Sequence, residues 1–294
     1  MNNHPYVKKD VYDRIMNAAH EMNYMPGNVV RKKRLGIIIE DFDYNMIGAY
    51  SGSVLMHLSK YCGMNGWGME IVPISDLQLL EESFIKVAIS MSPRSIGKLK
   101  HTRIIPFNWR TEGYPAVLSD YRQEIRIAVE HLFERGCRRP VMCLPGRESP
   151  EIINSIGQRK ASFLERLGEL DLPGGEGTIG YLIEGNPVEV IGKLLKNNQA
   201  DSLIIAGEDM LYPVNYALDI LRYRIPEDIS VISYENRMIS QYMIPPHTAI
   251  AQDFDMLSEN AIRLADKVLD GSLEPETKIL VPSQLIIRES VKSI

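Results

Sequence analysis

The sequence is short of the residues that define several function classes. It has only three cysteines, Cys62, Cys137 and Cys143, in 294 residues. An odd number at no metal-ligand spacing excludes a disulfide scaffold and a zinc motif, leaving small core hydrophobes in a reduced compartment. No apolar stretch approaches the ~20 residues that cross a bilayer, so no membrane contact is expected. Asn2, Asn3, His4 and Pro5 stand where a secretory signal would carry a basic start and an apolar run, and a cytoplasmic chain is expected. Cys-x-x-Cys, His-Glu-x-x-His and Gly-x-Ser-x-Gly are all missing. His20, His57 and His131 fall in helical patterns as solvated or packed residues, and adjacent carboxylates such as Glu81-Glu82 are not acid–base chemistry by themselves. Residues 172–177 are glycine-rich, but they lack the Lys-Ser/Thr ending of a phosphate loop and read as a turn. A non-enzyme with no metal and no cofactor is expected.

What is present is an ordinary globular composition, 45% hydrophobic and 24% charged, with room for about two domains. The net charge of −5 is unevenly spread. Residues 1–34 hold seven Lys/Arg against three Asp/Glu, +4, and the remainder carries −9. A basic end on an acidic body fits a small DNA-facing element joined to a body with another task. In that basic end, Val7, Val11, Ile15, Ala18 and Met22 share one face of a helix over 7–24 that Pro26 and Gly27 stop. One helix cannot bury such a stripe alone and needs a partner.

From Leu35 on, strand and helix patterns alternate. Short apolar runs predict strands over 35–39, 69–74, 87–89, 103–107, 141–144, 203–206 and 229–233. Helical stripes follow Asp120 as N-cap (Ile125, Ala128, Val129, Leu132), run through Val214, Ala217, Leu218 and Leu221, and run from Leu257 to Val268 before Asp270-Gly271. Such alternation implies parallel sheets covered on both faces, and at this length two α/β subdomains.

In open parallel sheets ligands bind beyond the carboxyl ends of the strands. Polar groups stand at several of those ends: Glu40, Asp41 and Asp43; Pro145, Gly146 and Arg147; Gly207, Glu208 and Asp209; Tyr234, Glu235 and Asn236. Carboxylates, amides and an arginine in one cleft suit a polyhydroxylated ligand, with Trp109 or Phe42 to cover its apolar face. The competing reading for any one acidic residue there is a helix N-cap.

The residues resemble the LacI/GalR family of bacterial transcription regulators over nearly the whole chain. Tyr6-Val7, Arg14-Ile15, Ala18-Ala19 and Asn23-Tyr24-Met25-Pro26 are similar to the last helix of that family's DNA-binding headpiece. Leu35 to Ile39 resembles the first sensor strand, Arg135-Gly136-Cys137-Arg138-Arg139 the turn into the second subdomain, and Arg159 with Phe163 an Arg-x-x-Gly-Phe motif. Ile225-Pro226-Glu227-Asp228-Ile229-Ser230-Val231, His247-Thr248-Ala249-Ile250 and Leu285-Ile286-Ile287-Arg288-Glu289-Ser290 complete the series. The resemblance implies an α/β fold of two Rossmann-like, periplasmic-binding-protein-like subdomains after a helical remnant and short hinge (1–33). The first subdomain would span 34–135 plus 253–278, the second 136–252 plus 279–294. It also implies a homodimer, operator DNA as partner, and a small effector, a sugar or sugar derivative, held between the subdomains. The effector-binding residues it points to are Arg159 and Glu235, with Asp41, Asp43, Met46, Ile47, Asp209, Gln252, Ile205 and Asp120 as further candidates; Arg31, Lys32, Lys33 and Arg34 would lie near DNA.

Some positions depart from the family. Its helix-turn-helix would precede Asn2, and its Ala-Arg-x-Leu hinge is reduced to Val30-Arg31-Lys32-Lys33. In the sensor, Ser162 replaces a motif glycine, Glu235 an aspartate, and Glu124 a common glycine. A solute-binding protein of a transport or sensing system shares the fold and is the alternative; the helix over 7–24 and its basic run count against it.

Overall fold

The computed structural model describes residues 8–22, 24, 33–40, 49–94, 96, 99–146, 153–235, 239–272, 274 and 277–293. In chain order the elements are α1 (Lys9–Glu21), β1 (Lys33–Ile39), α2 (Ala49–Met64), β2 (Trp67–Pro73), α3 (Gln78–Glu82), β3 (Val87–Ser90), β4 (Arg103–Pro106), β5 (Trp109–Arg110) and β6 (Ala116–Ser119). After them come α4 (Tyr121–Glu134), β7 (Pro140–Leu144), β8 (Ile153–Asn154), α5 (Ser155–Glu169), β9 (Ile179–Tyr181), α6 (Pro187–Asn198) and β10 (Ser202–Ile205). The rest are α7 (Leu211–Ile220), β11 (Ser230–Glu235), β12 (Thr248–Ala251), α8 (Phe254–Asp270), β13 (Lys278–Val281) and β14 (Gln284–Ile286).

Two sheets organise the described chain. The first is parallel, in the order β2-β1-β3-β4; the second runs β14-β12-β11-β10-β7-β9, with only β14 antiparallel to its neighbour. Residue alternation along each strand feeds two cores per sheet. Leu35, Ile37 and Ile39 of β1 pack with α2 and α8, whereas Ile38 packs with Val72, Leu80 and Ile85 on the other face. Met142 and Leu144 of β7 face α4 and α5; Val141 and Cys143 face α6 and α7. This doubly covered, two-lobed α/β architecture matches the expectation from strand–helix alternation.

Gly36 shows how closely the first lobe is packed. A Cβ there would stand 2.5 Å from Leu80 Cδ2 and 3.0 Å from Ala88 Cβ. Gly36→Ala is therefore expected to lower stability by about 1–3 kcal/mol through overpacking, read as a lower midpoint in urea unfolding with an unchanged slope.

The chain crosses between lobes three times: from β6 into α4, from β12 into α8, and from β13 into β14. The expected border at 135/136 moves accordingly. Ile125, Ala128, Val129 and Leu132 of α4 belong to the second lobe's core, so the crossing lies at Ser119–Tyr121. The later border moves from 278 to Val281, because β13 pairs with β6 of the first lobe through that residue. A stripe after a crossover can face either lobe, and its spacing alone does not say which.

The N-terminal helix is shorter than the expected 7–24. Tyr12, Asp13, Met16 and Asn17 of α1 share a groove with Gln78, Glu81, Glu82, Lys100 and His101, while Val11, Ile15 and Met22 of the predicted stripe are exposed. Arg31 and Lys32 lie outside the described residues. Lys33 and Arg34 belong to β1 and are engaged within the sensor. Lys33 pairs with Asp266 of α8 and sits 5.5 Å over the Trp67 ring; Arg34 pairs with Glu70 and donates to the Ser83 carbonyl. The strand begins earlier than the apolar run and takes in these two residues of the basic run.

His247 precedes β12 and is wholly buried, with neither ring nitrogen hydrogen-bonded in the structure. Burial, helped by the nearby Arg288 charge, lowers its pKa to about 4. Its ordinary value is about 6.5. Below that value the unfolded chain takes up a proton that the folded chain refuses, so stability falls as pH drops from 6.5 toward 4. Between pH 7 and pH 5 the expected loss from this group is about 2 kcal/mol. Urea unfolding at the two pH values should show that loss in the wild type and a smaller one in His247→Leu.

Candidate ligand-binding cleft

A cavity of about 180 Å³ opens between the lobes, beyond the carboxyl ends of the second sheet's strands. Tyr50 of α2 and Asn108 line it from the first lobe, and Tyr121 and Gln252 from the crossovers. The second lobe contributes Pro145, Ser155, Arg159, Ala206, Gly207, Asp209 and Tyr234. Pro145 directly follows β7, Ala206, Gly207 and Asp209 follow β10, and Tyr234 lies near the end of β11. The polar strand ends thus converge as the parallel topology dictates.

Arg159 is the central charged group. It sits on α5, whose start Asn154 caps by accepting from the Gly157 N–H at 3.1 Å, and it is only 8% exposed. Its guanidinium lies 4.1 Å over the Tyr234 ring and 5.2 Å from that of Tyr121, and it donates to the Ala206 carbonyl at 3.2 Å. Such stacking holds the planar group in place. The Arg159 Nε makes no hydrogen bond, but Glu124 Oε2 stands 3.5 Å away as its ion-pair partner. Burial works against the charge on Arg159. The surrounding Tyr234, Glu124, Tyr121 and Tyr50 groups reverse that and raise its pKa above the ordinary value.

Glu124 is fully buried at the start of α4. Its carboxylate accepts from Ser283 Oγ (2.7 Å), Gln252 Nε2 (3.1 Å) and the Tyr234 hydroxyl (3.1 Å). Gln252 also donates to Ser119 Oγ at 2.7 Å. Ser119, Gln252 and Ser283 lie on the three different crossovers, so one carboxylate ties the hinge to the cleft arginine. Gln123 reinforces the third crossover, donating to the Ser283 carbonyl and accepting from its N–H.

The first lobe's wall is also pre-set. Asn108 adopts a left-handed backbone (φ 60°), which asparagine tolerates better than most residues. It donates to the Tyr50 hydroxyl at 2.8 Å, accepts from the Ser119 N–H at 2.7 Å, and its carbonyl accepts from the Tyr121 hydroxyl at 2.8 Å. Burial raises the pKa of Tyr50, Tyr121 and Tyr234, so all three phenols stay neutral near pH 7. Among the described residues the cleft offers neutral hydroxyls and amides, aromatic rings, the Arg159 guanidinium and the Asp209 carboxylate. That set suits hydrogen-bonded capture of a polar metabolite rather than covalent chemistry.

The structure brings Arg159, Asp209 and Gln252 together in this cleft. Ile205 is elsewhere: it is fully buried against Val141, Cys143 and Leu203, because inward and outward positions alternate along β10. Asp120 is spent as the N-cap of α4, accepting from the Gln123 N–H at 3.0 Å, and borders outer grooves instead. Glu235 ends β11, with its side chain outside what is described; Asp41, Asp43, Met46 and Ile47 lie outside the described residues altogether. Trp109 does not cover the cleft either. It is buried, its indole N–H donating to the Ser90 carbonyl at 2.8 Å, and Tyr50, Tyr121 and Tyr234 supply the aromatic surface. In the sequence Glu124 stood out only as a residue at a position where the resembled family commonly has glycine.

The profile of the periplasmic binding protein-like domain matches residues 129–291, more than half of the chain. The chain belongs to the periplasmic binding protein-like family. Within it, the relatives are LacI/GalR-type transcription regulators, and the chain is one of that type. It is 21% identical to the ribose operon repressor of Halalkalibacterium halodurans, over 99% of this chain and 91% of that protein. It is 24% identical to the NTD biosynthesis operon regulator NtdR of Bacillus subtilis, over 99% and 93%, and 24% identical to the transcriptional repressor PurR of Yersinia pestis, over 99% and 91%. The fold is shared with the transcriptional regulator CelR in complex with cellobiose, at TM-score 0.77 and 17% identity over 97% of this chain and 92% of that one. A LacI-type protein of Alkaliphilus metalliredigens complexed with D-xylulofuranose superposes at TM-score 0.73 and 18% identity, over 89% and 100%. These relatives are regulators rather than enzymes. Among the described residues no helix is long and apolar enough to cross a membrane.

Proposed function

We propose that this LacI/GalR-type chain senses a sugar or sugar derivative in the inter-lobe cleft and couples its capture to operator binding by a cytoplasmic homodimer. The observation that carries the reading is Arg159, stacked on Tyr234 at the carboxyl ends of the second sheet and tied through Glu124 to all three crossovers. A ligand that bridges Tyr50 and Asn108 of one lobe to Arg159 and Asp209 of the other favours one closure angle. That angle sets the spacing of two DNA-binding elements in a dimer, and DNA affinity follows because both half-sites must be matched together. Exposed Tyr212, Tyr216 and Ile220 recur at four-residue steps along α7, and exposed Met56 lies on α2; these apolar surfaces support self-association.

The test is a panel of monosaccharides, disaccharides and their derivatives screened by thermal unfolding. A ligand at a hundred times its Kd should add about 2.7 kcal/mol of stability, read as a rise of several degrees. The hit is then added to the chain, carried with its DNA-binding segment, on labelled DNA from its own promoter region. A change in anisotropy of the labelled DNA is expected, and sedimentation should give a dimer. A panel without hits, or a hit that leaves DNA affinity unchanged, contradicts the reading.

A further inference from the structure

Resting on that inter-lobe sensor reading, we propose that β8 clasps the start of α5 to the first lobe, with Asn154 as the positioning residue that links the clasp to the helix of the cleft arginine. β5 (Trp109–Arg110) belongs to the first lobe. The Trp109 indole N–H donates to the Ser90 carbonyl of β3, and the preceding Asn108 N–H donates to the Val117 carbonyl of β6. β8 (Ile153–Asn154) leads directly into α5, whose Phe163 and Leu167 lie in the second lobe's core. The two strands pair antiparallel, Trp109 opposite Asn154 and Arg110 opposite Ile153, as a small sheet separate from those of both lobes. Among the described residues it is the one strand ladder that joins the lobes. The three crossovers are covalent and persist through any change of closure angle. A ladder of two residues a side is marginal by itself and can part without unfolding either lobe.

Asn154 connects this ladder to the site. Its backbone pairs with Trp109, and its side-chain oxygen accepts from the Gly157 N–H at 3.1 Å to cap α5. Ser155 comes next and Arg159 stands one turn further on, both lining the cavity from one face of the helix. Tyr50 and Asn108 line the same cavity from the lobe that holds β5. The clasp thus sets the α5 side chains against the opposite wall, and parting of the lobes and displacement of Arg159 become one event. A cap alone would fix only the end of the helix.

The experiment needs no ligand. In Arg110→Cys/Ile153→Cys the exchanged positions stand directly opposite each other in an antiparallel pair, about 4.5–5.5 Å apart at Cα, a span that a disulfide bridges. The native Cys62, Cys137 and Cys143 are buried. Mild oxidation of the folded chain should give an intramolecular cross-link that both single variants lack, at an undiminished melting temperature. Failure to cross-link, or a cross-link that lowers the melting temperature, overturns the proposal. For the positioning role, Trp67→Phe leaves Trp109 as the sole indole, reporting from the first lobe on a substitution in the second. Adding Asn154→Ala removes the cap, which shifts local opening by about fivefold. Hydrogen exchange at the start of α5 should quicken by that factor, and acrylamide should quench Trp109 emission more strongly. Asn154→Ser should restore both, and the cross-link should abolish the Trp109 response. Exchange that quickens in α5 while Trp109 stays unmoved shows a cap without a clasp and overturns the proposal. If Asn154→Ala does not fold, the cross-link and its melting temperature decide. A sugar panel without hits contradicts the sensor reading, whereas these outcomes judge the clasp.

Discussion

Glu124→Ala is expected to lower folding stability by about 3–5 kcal/mol. The truncation leaves the Arg159 guanidinium buried without its charge partner. It also strips an acceptor from Ser283, Gln252 and Tyr234, all donors to that carboxylate. Burying unpaired polar groups and an uncompensated charge is among the few mechanisms that give single substitutions effects of this size. The loss should not be additive with that at Arg159. Glu124→Gln/Arg159→Gln exchanges a buried ion pair for two amides, removing both charges, and should be more stable than either single glutamine variant. Urea unfolding of the four proteins measures this coupling directly, and a coupling energy near zero would mean that the pair at 3.5 Å carries no stability.

The second large effect concerns ligand capture. Arg159→Lys keeps a positive charge near Glu124 and is expected to fold. It removes the planar fork that stacks on Tyr234 and reaches the Ala206 carbonyl. A flexible ammonium neither stacks flat nor donates along the same two directions. Losing a charge-assisted hydrogen bond to the effector corresponds to about 1.5–3 kcal/mol, roughly ten- to more than a hundredfold in affinity. Thermal stability should change far less than in Glu124→Ala. Comparing melting temperature with affinity across these variants separates the structural role of the ion pair from the ligand-contacting role of the guanidinium.

The fold was legible where a continuous apolar run or a local cap marks the element. The 35–39 run was read as a strand from its apolar continuity, and Asp120 was read as the cap it is. Helix α2 was missed because its residues mix Ser, Gly and Tyr with Val and Leu and leave no clean stripe. Strands β5 and β8 have two residues each and no periodicity to detect. In the site, Arg159 and Asp209 were legible through strand-end position and motif, because the ends of parallel strands share one side of the sheet. Tyr50, Asn108 and Tyr121 were not, because a helix of the other lobe, a left-handed turn and a crossover bring them in. Glu124 stands where the resembled family commonly has glycine, but its role rests on three crossovers meeting at one carboxylate. No local pattern encodes such long-range convergence.

The most direct test of a ligand-sensing cleft centred on Arg159 is calorimetric titration of the wild-type chain and Arg159→Lys with the effector found by screening. The account predicts one site per chain in the wild type and at least tenfold weaker binding in the variant, at nearly unchanged melting temperature. Equal affinities in two equally stable proteins would place the ligand elsewhere and contradict it.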